Sequence, residues 1–200
     1  MPKKDHTHLV CILDRSGSMG SVAGDAIGGF NTFLEDQKKQ PGSMTVSLVL
    51  FDNEYLMPVK NEVISKVEPL TSKTYVPRGM TALLDAVGKT INDTNAEHAK
   101  LPKKELPENV IVCILTDGHE NASKEFKREQ IKQMIENQKK DHGWEFVFLA
   151  ANQDAFSEAG SIGIDRDNTF NYRSDSKGTK DAFNMMCESV TDIKSKKSKK

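Results

Sequence analysis

Asp14-Arg15-Ser16-Gly17-Ser18 sets a carboxylate and two hydroxyls at alternate positions, directly after the apolar run Leu9-Val10-Cys11-Ile12-Leu13. The run reads as a buried strand, so the three oxygens stand where a strand gives way to a loop. All are hard donors, suited to a small hard cation such as Mg²⁺ or Mn²⁺, which takes about six oxygens in an octahedron. This stretch alone cannot complete that shell. A second apolar run, Val110 to Leu115, ends the same way in Thr116-Asp117-Gly118, and a third polar loop, Arg78-Gly79-Met80-Thr81, leads into a helical pattern. In an open α/β sheet, ligands bind outside the carboxyl ends of the strands. Asp14 and Asp117 therefore converge there if their strands are neighbours, with the Thr81 hydroxyl facing the same crevice. The alternative for Asp14 and Ser16 is to cap the following helix, a common use of both residue types. That alternative accounts for neither Thr81 nor Asp117.

The elements that must hold these groups alternate along the chain. Ser21 to Lys39 carries Ala26, Ile27, Phe30, Phe33 and Leu34 on one helix face and stops at Pro41-Gly42. Met44 to Phe51 is a strand. Asp52-Asn53 turns it into Tyr55 to Val59, expected antiparallel at a sheet edge, where Pro58 is tolerated. Thr81 opens a helix bearing Leu83, Leu84, Ala86, Val87 and Ile91. Lys124 to Lys140 is a second helix, stopped by Gly143. Trp144 to Ala151 is a strand, Asp154 to Gly160 a short helix, Thr169 to Tyr172 a last strand, and Gly178 to Ile193 a closing helix. Alternation around apolar central strands predicts an α/β fold, a mostly parallel sheet with helices on both faces.

The 200 residues suit one domain, with no internal repeat. The net charge of −1 hides an asymmetry: residues 194–200 carry five lysines, and the rest of the chain has 23 basic against 29 acidic residues. An acidic body argues against non-specific nucleic-acid binding, which rests on basic clusters. The start lacks the apolar segment of a signal peptide, and no apolar run approaches a membrane span. Of the three cysteines, Cys11 and Cys113 sit in core-strand runs and read as small buried hydrophobes, which fits a reducing cytoplasm.

With these residues in place, the chain resembles the von Willebrand factor type A family. That family's metal-ion-dependent adhesion site has the pattern Asp-x-Ser-x-Ser after the first strand, a Thr in a Gly-x-Thr loop, and an Asp after the fourth strand. The matching residues are Asp14, Ser16 and Ser18, then Thr81 in Gly79-Met80-Thr81, then Asp117, and the likeness runs from about His8 to Ile193. It implies a Rossmann-like, doubly wound sheet of six strands in the order 3-2-1-4-5-6, the third antiparallel, as one domain over 1–193 with a lysine-rich tail at 194–200. It also implies that Ser16, Ser18 and Thr81 bind the metal directly while Asp14 and Asp117 act largely through waters. Few carboxylates then touch the ion, which keeps much of its charge and accepts an Asp or Glu side chain from a partner protein. Several such domains couple coordination to movement of the last helix. The chain also resembles the stand-alone bacterial and phage versions; others partner separate ring ATPases.

Arg15 and Met19, in the first loop, are expected to be exposed and to touch the partner, with Arg78, Met80, His119 and Glu120 around the same rim. Solvated loop residues are the competing reading for His119 and Glu120. His6-Thr7-His8 has metal-catching spacing but reads as merely polar. The lysine tail reads as a solvated end. A metal-dependent hydrolase is the enzymatic alternative, but neither serine has a recognisable histidine partner, and no nucleophile elbow or phosphate-cradling loop is present. A monomer is expected.

Overall fold

A computed structural model describes residues 2–151 and 154–198. Six strands form one sheet: β1 (Lys3–Asp14), β2 (Ser43–Phe51), β3 (Tyr55–Val63), β4 (Pro107–Thr116), β5 (Glu145–Ala150) and β6 (Thr169–Asn171). Their order is β3-β2-β1-β4-β5-β6, and only β3 is antiparallel to its neighbour. The order reverses between β1 and β4, so the loops leaving these two central strands face one crevice.

The strands carry the burial that their sequences require. β1 and β4 are apolar through their middles because helices cover both faces, whereas β3 is only half-buried at the edge and keeps Pro58 and charged residues there. Alternate residues feed two cores. Leu9, Cys11 and Leu13 pack under α1 (Ala23–Lys38) and α5 (Ser176–Ser198), with Phe30, Phe33, Phe183 and Met186. Val10 and Ile12 face α2 (Leu83–His98), α3 (Arg128–His142) and α4 (Ala155–Ser161), with Leu83, Ile131 and Phe148. All three cysteines are free thiols; Cys11 and Cys113 are fully buried, and desolvation pushes the Cys11 thiol up to about 12.

Several boundaries differ from the sequence expectation. The first helix is preceded by a tight 3-10 turn over Gly17–Val22, and α2 begins at Leu83, not at Thr81. α3 begins at Arg128, because residues 118–127 are used to tie loops together. Gly143 ends it in the left-handed conformation, at φ 64°. α5 runs to Ser198, well into the lysine-rich segment; Lys199 and Lys200 lie outside the described residues. Among the described residues no helix is long and apolar enough to cross a membrane.

Candidate metal centre

Asp14 ends β1, and its carboxylate is held from both sides. The Ser16 backbone N–H donates to Oδ1 at 2.6 Å, and the Thr116 hydroxyl, from the end of neighbouring β4, donates to Oδ2 at 2.6 Å. Asp117, one residue further on, accepts from the Ser18 hydroxyl at 2.5 Å and from the Ser174 hydroxyl at 3.1 Å. Ser16 Oγ lies 3.1 Å from Ser18 Oγ. These contacts join Asp14, Ser16, Ser18 and Asp117 into one network.

Thr81 reaches the same place through the loop after β4. Its N–H donates to Asn121 Oδ1 at 2.9 Å, and its carbonyl accepts from Asn121 N–H at 3.0 Å. The loop itself is tied to α2. Asp85 accepts the N–H groups of Lys124, Glu125 and Phe126, and Glu120 accepts those of Leu84, Ala122 and Ser123. Gly118 marks how close the chains come: a Cβ there would sit 2.8 Å from Thr81 Oγ1 and 3.6 Å from Ser18 Oγ. Only hydrogen fits in that gap without displacing a donor.

The first and third loops are clamped by backbone bonds from Gly17 N–H to Gly79 O at 3.1 Å and from Arg78 N–H to Arg15 O at 2.8 Å. Two tyrosines brace the strand ends: the Tyr75 hydroxyl donates to Asp14 O at 2.5 Å and the Tyr172 hydroxyl to Thr116 O at 3.1 Å.

The donor chemistry fits a small hard cation. Three hydroxyls and two carboxylates supply oxygen only. Among the described residues no group of three or more His, Cys, Asp or Glu is placed to hold a metal. Burial raises the Asp14 carboxyl to about 6, against the pull of its Thr116 and Ser16 hydrogen bonds. A carboxylate so withdrawn from water, with Asp117 adding like charge, is stabilised by a nearby positive ion.

The expected rim needs correction. Met19 is 0% exposed; the 3-10 turn folds it into the core against α1 and α5. Arg15 is only 7% exposed, with Nε 3.2 Å from Asp52 Oδ2, an ion pair without a directed hydrogen bond. Asp52, directly after β2, binds Arg15 and Arg78 together. Arg78 is exposed but its guanidinium is engaged by Asp52 and Glu54. Glu120 is half-buried and anchors the start of α2. Met80, 55% exposed, and His119 remain open at the rim. Thr116, Ser174, Tyr75, Tyr172 and Asp52 were not expected from sequence to serve the site. Asp52 carried the available signal, an Asp directly after an apolar strand; the tyrosines and Ser174 carried none.

No protein-family model and no curated protein sequence matches the chain. Solved structures do. The vWF domain of the type V pili tip protein Mfa5 from Porphyromonas gingivalis superposes with a TM-score of 0.63 at 11% identity, over 92% of this chain and 95% of that one. Manganese-loaded TRAP protein of Plasmodium vivax gives 0.59 at 15%, over 89% and 72%. Proximal thread matrix protein 1 from the mussel byssus gives 0.58 at 18%, over 91% and 46%, so this chain spans less than half of the mussel protein. Identities this low speak to the fold alone. Together with the strand order and the single antiparallel edge strand, they establish that this chain has the von Willebrand factor type A fold.

Proposed function

We propose that the chain is a non-catalytic protein-binding module that works through a divalent cation, Mg²⁺ or Mn²⁺, held by Ser16, Ser18 and Thr81, with Asp14 and Asp117 behind them. The observation that carries this reading is the meeting of three separate loops, each braced by its own hydrogen bonds, around five oxygen-bearing side chains at one edge of the sheet. When bound, the ion supplies a Lewis-acidic position for an Asp or Glu carboxylate of a partner protein. The side chains of this protein do the rest. Thr116 and the Ser16 N–H fix the Asp14 carboxylate, and Ser174 fixes Asp117, so the donors are set before any ligand arrives. Met80 offers an apolar contact beside the carboxylate.

Two further observations favour binding over hydrolysis. Ser16 and Ser18 are engaged with each other and, through Ser18, with Asp117, and among the described residues neither hydroxyl is shown with the histidine partner of a Ser–His nucleophile. The solved structures of the same fold include a pilus tip domain and a manganese-loaded protein, in keeping with a metal-dependent interaction role. Service as one subunit of a larger assembly, in a cytoplasmic setting, is compatible with the same site.

The test has two arms. Mn²⁺ or Mg²⁺ should raise the melting temperature of the wild-type chain, and Asp14→Ala and Asp117→Ala should abolish that rise. Capture of partners by the tagged chain should require the metal and be lost in EDTA. Recovery of the same proteins in both conditions, or metal-dependent turnover of phosphoester or peptide substrates that Asp14→Ala abolishes, would overturn the proposal.

A further inference from the structure

Thr81 stands just ahead of α2, where the chain makes no cap of its own for the helix. Ala82 is the N-cap, at φ −98° and ψ 63°, and makes no side-chain cap bond. Helix starts leave backbone N–H groups without an intrahelical partner, and the oxygen of an N-cap side chain usually takes one of them. Here other segments take them. Ala82 N–H donates to Asp52 O at 2.9 Å, Leu84 N–H to Glu120 Oε2 at 2.9 Å, and Asp85 N–H to Ser123 Oγ at 3.0 Å. The place where α2 begins is therefore set from outside the helix.

Both backbone groups of Thr81 go to a single residue of that outside support. Its N–H donates to Asn121 Oδ1 at 2.9 Å, and its carbonyl accepts from Asn121 N–H at 3.0 Å. Two bonds to one residue close a ring that fixes the peptides on either side of the Thr81 Cα, and so the direction in which its hydroxyl leaves the chain. The ring needs an acceptor on the side chain at 121. Asn supplies one without adding a carboxylate next to Glu120. Thr81 is 3% exposed, whereas Asn121 is exposed, so the clamp comes from a residue outside the core. Asn121 lies four residues after Asp117. One short segment therefore carries a carboxylate of the site and fixes one of its hydroxyls.

We propose that Asn121 is the positioning residue for Thr81: its clamp on the Thr81 backbone aims the hydroxyl, and the affinity of the site for a divalent cation depends on that aim. The clamp rests on geometry alone; its consequence for the cation rests on the metal-binding reading above. Removing the clamp leaves every oxygen of the site in the chain and changes only where one of them points.

The experiment compares the full chain with Asn121→Ala and Asn121→Asp in two readouts. Hydrogen exchange of the Thr81 amide in the metal-free protein reads the clamp, and calorimetric titration with Mn²⁺ reads its consequence. Asn121→Ala should exchange the Thr81 amide about tenfold faster and bind Mn²⁺ about tenfold more weakly, with little change in melting temperature. Asn121→Asp keeps the acceptor and should return both readouts to near the wild-type values. Unchanged Thr81 exchange in Asn121→Ala would overturn the clamp. A lower melting temperature for Asn121→Ala with unchanged Mn²⁺ affinity would leave Asn121 as a brace for the loop alone and overturn the proposal. Restored affinity in Asn121→Asp without restored protection of the amide would assign the effect to charge and overturn it too. A wild-type chain that takes up no Mn²⁺ would overturn the metal-binding reading and this inference with it, whereas equal uptake by wild type and Asn121→Ala would overturn this inference only.

Discussion

The two ends of the sheet differ in how fully their buried polar groups are paired. At the carboxyl edge the oxygens of the site are paired, both of Asp14, both of Asp117 and the hydroxyls of Tyr75 and Tyr172, while Arg15 Nε and Thr179 Oγ1 beside them are not. At the amino edge, Thr7, Gln37, Thr45, Thr94, Asn109 and Gln138 each keep a buried atom without a partner among the described residues. The well-paired group there is the histidine pair: His8 Nδ1 lies 2.9 Å from His98 Nε2, and His8 Nε2 lies 2.9 Å from Ser47 Oγ. The contrast separates two demands on a fold. An edge that must hold several loops in one geometry pairs its polar atoms redundantly, because a half-satisfied network cannot fix a position. An edge without that demand tolerates orphaned atoms, and the loops that gather Asp14, Thr81 and Asp117 can rest on a rigid sheet whose far end is less fully satisfied.

Acid gives the largest separation between the two ends. His8 is 1% exposed, and desolvation, reinforced by His98 and His6, lowers its pKa to about 3; desolvation lowers that of His98 to about 4, with Glu97 opposing and His142 and His6 reinforcing the shift. Both values lie below the ordinary 6.5, so the unfolded chain binds more protons. Stability from this pair is complete above about pH 6.5 and falls as the pH drops toward the folded values, by about 4–5 kcal/mol for His8 over the full range. The two rings share a hydrogen bond, so their contributions do not add. Urea unfolding from pH 7 to pH 4 should show this loss, and His8→Gln should flatten it. An unchanged slope in His8→Gln would remove the pair from the account.

Asp14 has the reverse sign. Its folded pKa, about 6, lies above the ordinary 3.8, so in the metal-free chain its burial costs stability, and the cost grows as the pH rises through that window. Asp14→Asn should therefore stabilise the metal-free chain at pH 7 by about 1–3 kcal/mol, with its melting temperature no longer raised by Mn²⁺ or Mg²⁺. A destabilised variant would mean that the two hydrogen bonds to Asp14 outweigh its desolvation. Gly118→Ala acts at the same edge through space alone. Displacing Thr81 Oγ1 should weaken Mn²⁺ binding about tenfold, measured by titration calorimetry, with a smaller effect on folding.

Much of this arrangement was legible in the sequence, for a physical reason. Strands buried on both faces must be apolar throughout, so Leu9–Leu13 and Val110–Leu115 stand out, and the Asp that ends each run stands at the edge where the loops gather. The antiparallel edge strand showed itself through Asp52-Asn53 and Pro58. Features that depend on distant pairing did not show. Arg15 looks like an exposed loop residue until Asp52 is seen beside it. Met19 looks exposed until the 3-10 turn folds it inward. His8 and His98 lie 90 residues apart and meet only because α2 packs on the face of β1 that carries His8. His6 and His8 read as merely polar, yet both are buried, because alternate strand positions set them on that same covered face.

The smallest expected effects bear most directly on the difference between the edges. Removing the Tyr75 hydroxyl leaves Asp14 O without that donor at the paired edge, so Tyr75→Phe should cost about 1–2 kcal/mol. Thr94→Val removes a hydroxyl of nearly the same shape at the orphaned edge, where no partner is lost. It should be neutral or stabilise by a few tenths of a kcal/mol, roughly the desolvation cost relieved. Both residues are almost fully buried, so differences in exposure do not confound the pair. Chemical denaturation of the two variants beside the wild type measures both signs in one series. Equal losses would mean that Thr94 holds a bound water and that the amino edge is as well paired as the carboxyl edge. Opposite signs would locate the demand for fixed geometry chiefly at the end where Asp14 and Asp117 stand.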